Sequence, residues 1–302
     1  MLPSAPLHPL NLPWLHQAGV NVAILRLDQI DPLISGNKWF KLNHHLAAAR
    51  KAGAKGLISL GGAHSNHLHA LAAAGKRFGF STVGLLRGHP VETPTVLDLQ
   101  AFGMELHWLG YAGYRARHDA DFWVPWYERY PALHPIPEGG GGLDGALGCA
   151  DIVTQARNQL SELGWDDYDG WWLACGTGTT LAGLVLAERG MHKVFGAMAV
   201  PGDHGVAQNV QAILSPPGMD GYELLEASRG GFAKSDPQLL EFIAACEEQS
   251  GVPLEPLYTG KALLALREAI DGGRLARGSR LIFVHTGGLQ GKRGFIKDNG
   301  GR

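Results

Sequence analysis

The amino-acid sequence predicts an α/β fold, with open, parallel, twisted sheets flanked by helices and arranged in two lobes. Three observations carry this expectation. Short apolar runs alternate with longer amphipathic stretches along most of the chain, as they do where strands are covered by helices on both faces. The 43 glycines cluster just after several of those runs, where a backbone must turn tightly or approach a ligand closely. The chain has 302 residues, 45% of them hydrophobic, enough for one large or two modest domains with a real core.

In chain order the strand-like runs are LISL (57–60), TVGLL (82–86), ELHWL (105–109), WWLAC (171–175), KVFGAMAV (193–200) and LIFVHT (281–286). Helix-like stretches cover 37–53, 64–79, 94–102, 179–190 and 236–251. In the first of these Trp39, Leu42 and Leu46 recur at steps of three and four, which lays one apolar stripe against a core. The glycine run PEGGGGLDGALG (137–148) is the expected hinge. It divides the chain into a large lobe, 1–46 plus 150–302, and a smaller inserted lobe, 47–149.

Composition excludes several classes of function. A formal net charge of −2 and no basic stripe give no reason to expect a nucleic-acid partner. The apolar runs are too short to span a bilayer. The opening MLPSAPLHPLNLPWL lacks a basic start and is broken by prolines, so it does not read as a signal peptide. Cys149, Cys175 and Cys246 form no CxxC pair, which argues against a disulfide framework or a zinc site and fits a reducing, cytoplasmic setting. His64, His67 and His69 have no carboxylate or cysteine at ligand spacing, so no metal is expected and these side chains should lie at the surface or line a cavity.

Three segments can carry chemistry. CGTGTTLAG (175–183) follows an apolar run and opens a helix, where free N–H groups attract phosphate and small residues let it sit close. A dinucleotide fingerprint is the rival, but Leu181 replaces the third glycine and no acidic residue stands near position 198 for a ribose. No GK[ST] follows for a nucleotide triphosphate loop. One phosphate monoester fits better, with a purely structural turn as the alternative. LGGAHSNHLHALAA (60–73) repeats the strand, glycine turn and helix start, and places Ser65 and Asn66 in the first turn as caps or ligand contacts. In SGNKWFKL (35–42) Ser35 or Asn37 can cap the helix that carries Lys38 in its opening turn. The positive helix end and desolvation would lower that amine's pKa and leave it able to form a Schiff base. Lys41, one turn on, competes for the same role.

Together SGNKWFKL, SLGGAHSNH, CGTGTTLAG, EPLYTGKA (255–262) and FVHTGG (283–288), in that order, resemble the 1-aminocyclopropane-1-carboxylate (ACC) deaminase and D-cysteine desulfhydrase family. These are pyridoxal 5'-phosphate (PLP) enzymes of fold type II, the tryptophan synthase beta-like class. The resemblance covers nearly the whole chain. It implies that Lys38 is the Schiff-base lysine and Lys41 its companion. It implies that Ser65 sits near the substrate carboxylate and reacting carbon, and that Asn66 hydrogen-bonds the cofactor's 3′ oxygen. Gly176, Thr177, Gly178, Thr179 and Thr180 resemble the phosphate cup, Tyr258 the active-site tyrosine, and Thr286 the residue facing the pyridine nitrogen. A neutral hydroxyl there makes a weaker electron sink, which favours β-elimination.

The resemblance further implies a cytoplasmic lyase, a homodimer, acting on a small amino-acid substrate. ACC deaminases of the family carry Glu after the tyrosine and Leu in the last strand motif. This chain has Thr259 and Thr286, which resembles the desulfhydrase side. Where many members have tyrosine in a GYG-like segment, this chain reads GGFA with Phe232, and one hydroxyl is lost. The expected reaction is β-elimination from a D-cysteine-like amino acid to pyruvate, ammonia and the leaving group. ACC ring opening to 2-oxobutanoate is the alternative. A nicotinamide oxidoreductase and a non-catalytic PLP-binding protein are the more distant ones.

Overall fold

Apolar runs bounded by glycine turns become strands wherever helices cover them. The computed structural model describes residues 4–215, 220–231 and 234–293. Its strands are β1 (Leu7–Pro9), β2 (Asn21–Arg26), β3 (Gly56–Gly61), β4 (Ser81–Leu86), β5 (Glu105–Trp108), β6 (Leu133–Pro135), β7 (Gly170–Cys175), β8 (Lys193–Met198), β9 (Tyr222–Glu226) and β10 (Arg280–His285). The helices are α1 (Pro13–Ala18), α2 (Asn37–Lys51), α3 (Asn66–Phe78), α4 (Pro94–Ala101), α5 (Gly110–Arg115), α6 (Val124–Arg129), α7 (Gly142–Arg157), α8 (Thr179–Glu188), α9 (Val206–Ile213), α10 (Pro237–Ser250) and α11 (Thr259–Asp271). Every strand-like run read from the sequence is a strand here. Among the described residues no helix is long and apolar enough to cross a membrane.

The strands form two sheets. One has six strands in the order β1-β2-β10-β7-β8-β9, parallel except for the antiparallel β1–β2 pair. The other has four, β5-β4-β3-β6, all parallel. The smaller sheet lies wholly between residues 47 and 149, and both of those expected lobe limits fall inside helices, α2 and α7.

The period of two along a strand decides which core each side chain joins. On β7, Trp171, Leu173 and Cys175 enter one core with Ile282 and Val284 of β10, under α7 and α8. Trp172 and Ala174 enter the opposite core with Leu281 and Phe283, under α10 and α11. Each buried indole N–H is satisfied: Trp171 Nε1 donates to Glu188 Oε1 (2.7 Å) and Trp172 Nε1 to the Ala262 carbonyl (2.8 Å).

Helix α2 belongs to both sheets. Phe40 packs in the core of the six-stranded sheet, while Leu42, Leu46 and Ala49 pack in that of the four-stranded sheet. Trp39 touches both. The apolar stripe expected on this helix is therefore shared between two cores.

Most of the glycine run at 137–148, the expected hinge, is regular structure. Residues 138–140 make a single 3₁₀ turn, and from Gly142 onward the chain is the long helix α7. Glycine disfavours helix in isolation, but here its small size is the reason the helix can form in place. A side chain at Gly148 would strike the backbone of Phe40 in α2, and one at Gly183 of α8 would lie 2.6 Å from the Cβ of Cys149. Close packing between α2, α7 and α8 outweighs the local propensity.

Glu188, at the end of α8, is fully buried and accepts from Arg157 Nη2 (2.7 Å), Trp171 Nε1 (2.7 Å), His192 Nδ1 (2.7 Å) and the Tyr168 hydroxyl. Removing this acceptor strands four donors, one of them a guanidinium. Glu188→Ala should therefore lower unfolding free energy by on the order of 3–5 kcal/mol, read from denaturant unfolding.

Candidate active site

The carboxyl ends of parallel strands are where ligands bind in such sheets, and the segments singled out in the sequence meet there. Gly36 caps α2 with φ 69°, and neither Ser35 nor Asn37 serves as the expected side-chain cap. A Cβ at Gly36 would run into the Thr286 carbonyl at the end of β10. This close approach lets Asn37 N donate to Thr286 O at 3.1 Å. Asn37 is buried, and its side chain bridges two elements instead of capping one. Its Nδ2 donates to Thr180 Oγ1 (2.9 Å) while Oδ1 accepts from Lys38 Nζ (2.9 Å). One asparagine thus ties the lysine of α2 to the first turn of α8.

Burial, and next the charge of Lys41, press the Lys38 pKa down to about 7. Lys41 is 4% exposed, and burial lowers its pKa as well. Its Nζ donates to the Gly139 carbonyl (3.3 Å) and to Thr177 Oγ1 (3.5 Å). Among the described residues, no carboxylate lies in ion-pair range of either lysine. Beside them Gly178, at φ 76°, is the N-cap of α8, and the helix's first-turn N–H groups have no partner within it. Thr177 and Thr179 share a hydroxyl hydrogen bond of 2.9 Å at the same corner. A buried amine, a half-buried one near it and a helix N-terminus, with no carboxylate paired to them among the described residues, suit a phosphate dianion.

His67 adds to the same field. Ser59 Oγ donates to the Ile136 carbonyl (2.8 Å), so it accepts from His67 Nε2–H (2.8 Å) and leaves Nδ1 as a buried, unpartnered acceptor. Burial and then the Lys38 and Lys41 charges hold this imidazole's pKa well below its usual value, so it is neutral. Of the three histidines expected at the surface or lining a cavity, His67 is 2% exposed and faces the two lysines, while His69, 3% exposed, pairs with Asp98 (3.2 Å) within the protein.

Ser65 is the N-cap of α3 and accepts from Leu68 N at 3.2 Å. Asn66 follows at the first helical position, its Oδ1 accepting from Gln290 Nε2 at 3.0 Å. Tyr258 lies beside the glycine turn that opens α8, 3.0 Å from where a Gly176 Cβ would be. Burial, then the charges of Glu255 and Glu138, raise its pKa, so the phenol keeps its proton. Thr286 is buried. Phe232 lies outside the described residues.

The sequence reading missed Glu255. It is fully buried, and its carboxylate accepts from the N–H groups of Leu257 (2.8 Å), Tyr258 (2.9 Å) and Thr259 (2.6 Å), which caps α11 and aims Tyr258. Thr259, also fully buried, donates its hydroxyl to Glu255 Oε1 (3.1 Å) and accepts from Glu255 N (3.0 Å). An acidic residue four positions before a helix-opening threonine was the available signal. Lys261, in the same motif, donates to the Ser228 and Gly231 carbonyls (2.7 and 2.8 Å) and is structural.

An amine titrating near neutrality, a second amine that is buried and a glycine-rich helix start at the carboxyl ends of parallel strands define an enzyme that holds a phosphorylated carbonyl cofactor. The chain belongs to the pyridoxal-phosphate dependent enzyme family, whose profile matches residues 4–287, and its cofactor is PLP. It is 28% identical over 310 residues to the bifunctional D-cysteine desulfhydrase/1-aminocyclopropane-1-carboxylate deaminase, mitochondrial, of Arabidopsis thaliana, with 95% of this chain and 76% of that one covered. It is 26% identical over 289 residues to the D-cysteine desulfhydrase of Salmonella choleraesuis, covering 87% and 86%. A solved structure described as an ACC deaminase homologue superposes with a TM-score of 0.83 at 26% identity, covering 98% of this chain and 92% of that one. The fold is thus the α/β, fold-type-II architecture expected.

The low Lys38 pKa makes a pH prediction. If Lys38 is the amine that captures PLP, the cofactor-free protein needs it neutral, so the capture rate should climb about tenfold per pH unit below about 7 and level off above it. The Lys41 charge opposes protonation of Lys38, so Lys41→Met should move the midpoint to higher pH. Visible absorbance after rapid mixing reads both, and an unmoved midpoint contradicts the coupling.

Proposed function

We propose that the protein is a lyase that eliminates a β leaving group from a small D-amino acid resembling D-cysteine, releasing pyruvate and ammonia. The observation that carries the substrate assignment is Thr259: its hydroxyl is spent on Glu255, and Glu255 is spent on capping α11, so this corner offers no free carboxylate. ACC has no α-proton, and its ring opening needs an added acid–base group. The names of the Salmonella and Arabidopsis relatives support the D-cysteine reading, and the second name in the Arabidopsis protein keeps ACC as the alternative substrate.

When bound, PLP supplies the electron sink for the bond broken at Cα. The chain would hold it through Gly176, Thr177, Gly178, Thr179, Thr180 and Lys41 at the phosphate, Asn66 at the ring oxygen and Thr286 at the pyridine nitrogen. Lys38 would be its covalent anchor and, as a free amine, the general base at the α-proton. A pKa of about 7 suits that role, since half the amines are neutral at working pH. Asn37 Oδ1 keeps the Lys38 amine aimed while it waits. Ser65 and the N-terminus of α3 receive the substrate carboxylate. Tyr258, held protonated, donates toward the leaving group. We also propose that 47–149 is the smaller lobe and that the enzyme is a cytoplasmic homodimer. The three cysteines are free and buried, which suits a reducing compartment.

Borohydride reduction of the yellow protein followed by peptide mapping should place the pyridoxyl group on Lys38; a label on Lys41 would reverse the two roles. In steady-state assays, kcat/KM for D-cysteine or β-chloro-D-alanine should exceed that for ACC by on the order of a hundredfold, the usual worth of a positioned acid–base group. Equal values for D-cysteine and ACC would sink the assignment.

A further inference from the structure

We infer that Gln290 is a positioning residue that turns the Asn66 side-chain amide so that its NH₂ group, and not its oxygen, faces the cofactor's ring oxygen. The inference rests on the proposed contact between Asn66 and that oxygen. An asparagine amide has nearly the same shape after a half-turn, so packing alone does not decide which end points at a ligand. Gln290 Nε2 supplies the missing constraint by donating to Asn66 Oδ1 at 3.0 Å. With its oxygen taken, Asn66 has only N–H groups left for a partner elsewhere. Those suit a ring oxygen that must carry negative charge.

The surroundings hold this pair from both ends. Gly288, at φ 86°, has no side chain, and a Cβ there would stand 2.7 Å from Asn66 Nδ2. At Gly291 a Cβ would stand 3.5 Å from Asn66 Oδ1. The Gln290 backbone carbonyl accepts from Arg293 Nε (3.2 Å), and Arg293 pairs with Asp98 of α4. Asp98 in turn meets His69 Nε2 at 3.2 Å, one turn along α3 from Asn66. The segment after β10 therefore bonds α3 directly at Asn66, the proposed cofactor contact, and reaches His69 through Asp98 of α4. Nothing in the apolar periodicity could have shown this link, because it joins positions 224 residues apart.

The test uses the PLP-loaded protein with Gln290→Met, Gln290→Glu, Asn66→Ala and the two double variants. Cofactor affinity and the ratio of the visible to the near-ultraviolet band are read by titration, because a donor at the ring oxygen favours its ionised, yellow form. Gln290→Met should weaken cofactor binding by roughly three- to tenfold, the worth of one hydrogen bond, and shift absorbance toward the near-ultraviolet. Gln290→Glu should do more despite its equal size, since a carboxylate only accepts and would draw the Asn66 NH₂ toward itself. In the Asn66→Ala background neither change should have any further effect. Wild-type spectra and affinity in both single Gln290 variants, or effects that persist undiminished without Asn66, overturn the inference. If Asn66→Ala alone leaves the band and affinity unchanged, the cofactor contact itself is wrong, and the inference falls with it.

Discussion

The structure turns on two neighbouring lysine amines, Lys41 buried and Lys38 half-buried, that no carboxylate pairs with among the described residues. Desolvating one ammonium is costly, and a like charge beside it adds to the cost. The chain meets this by letting Lys38 approach neutrality and by setting Lys41 against a carbonyl and a threonine hydroxyl. What remains is a pocket of positive potential lined with N–H groups. A dianion completes it, and the same field that attracts the phosphate prepares the neighbouring amine for chemistry.

Keeping that field in place requires backbone from distant parts of the chain to meet within hydrogen-bond reach. The strand ends of β7 and β10, the entry to α2 and the entry to α8 converge through Gly36, Thr286, Asn37 and Thr180. Asn37 is the junction, because one amide serves the lysine with its oxygen and the phosphate corner with its nitrogen. Glu255 plays the matching part on the far side, converting a buried carboxylate into the cap that presents Tyr258.

Much of this was legible in the sequence, and the reasons for the rest are physical. β7 and β10 are covered on both faces, so they read as unbroken apolar runs. β9, YELLE, sits at the sheet edge and is only half-buried, so its pattern carries no comparable run. β2, NVAILR, is as apolar as the others, but no glycine turn follows it to mark its end. Helix α7 was hidden because its glycines argue against helix locally and for close packing only once α2 and α8 are known. Lys38, Ser65 and Gly176–Thr180 announced themselves as helix starts after glycine turns. Asn37, Glu255 and Gln290 act through partners or caps that only the folded chain brings together.

One feature of α2 bears on motion. Its first turn is bonded to α8, its middle is sunk in one core and its later turns in the other. A helix so placed is an axle between the sheets. Any swing of the smaller sheet would pivot about it, and Lys38 sits at the end fastened to the larger sheet. Such a swing would leave Lys38, Asn37 and Thr180 in register with one another.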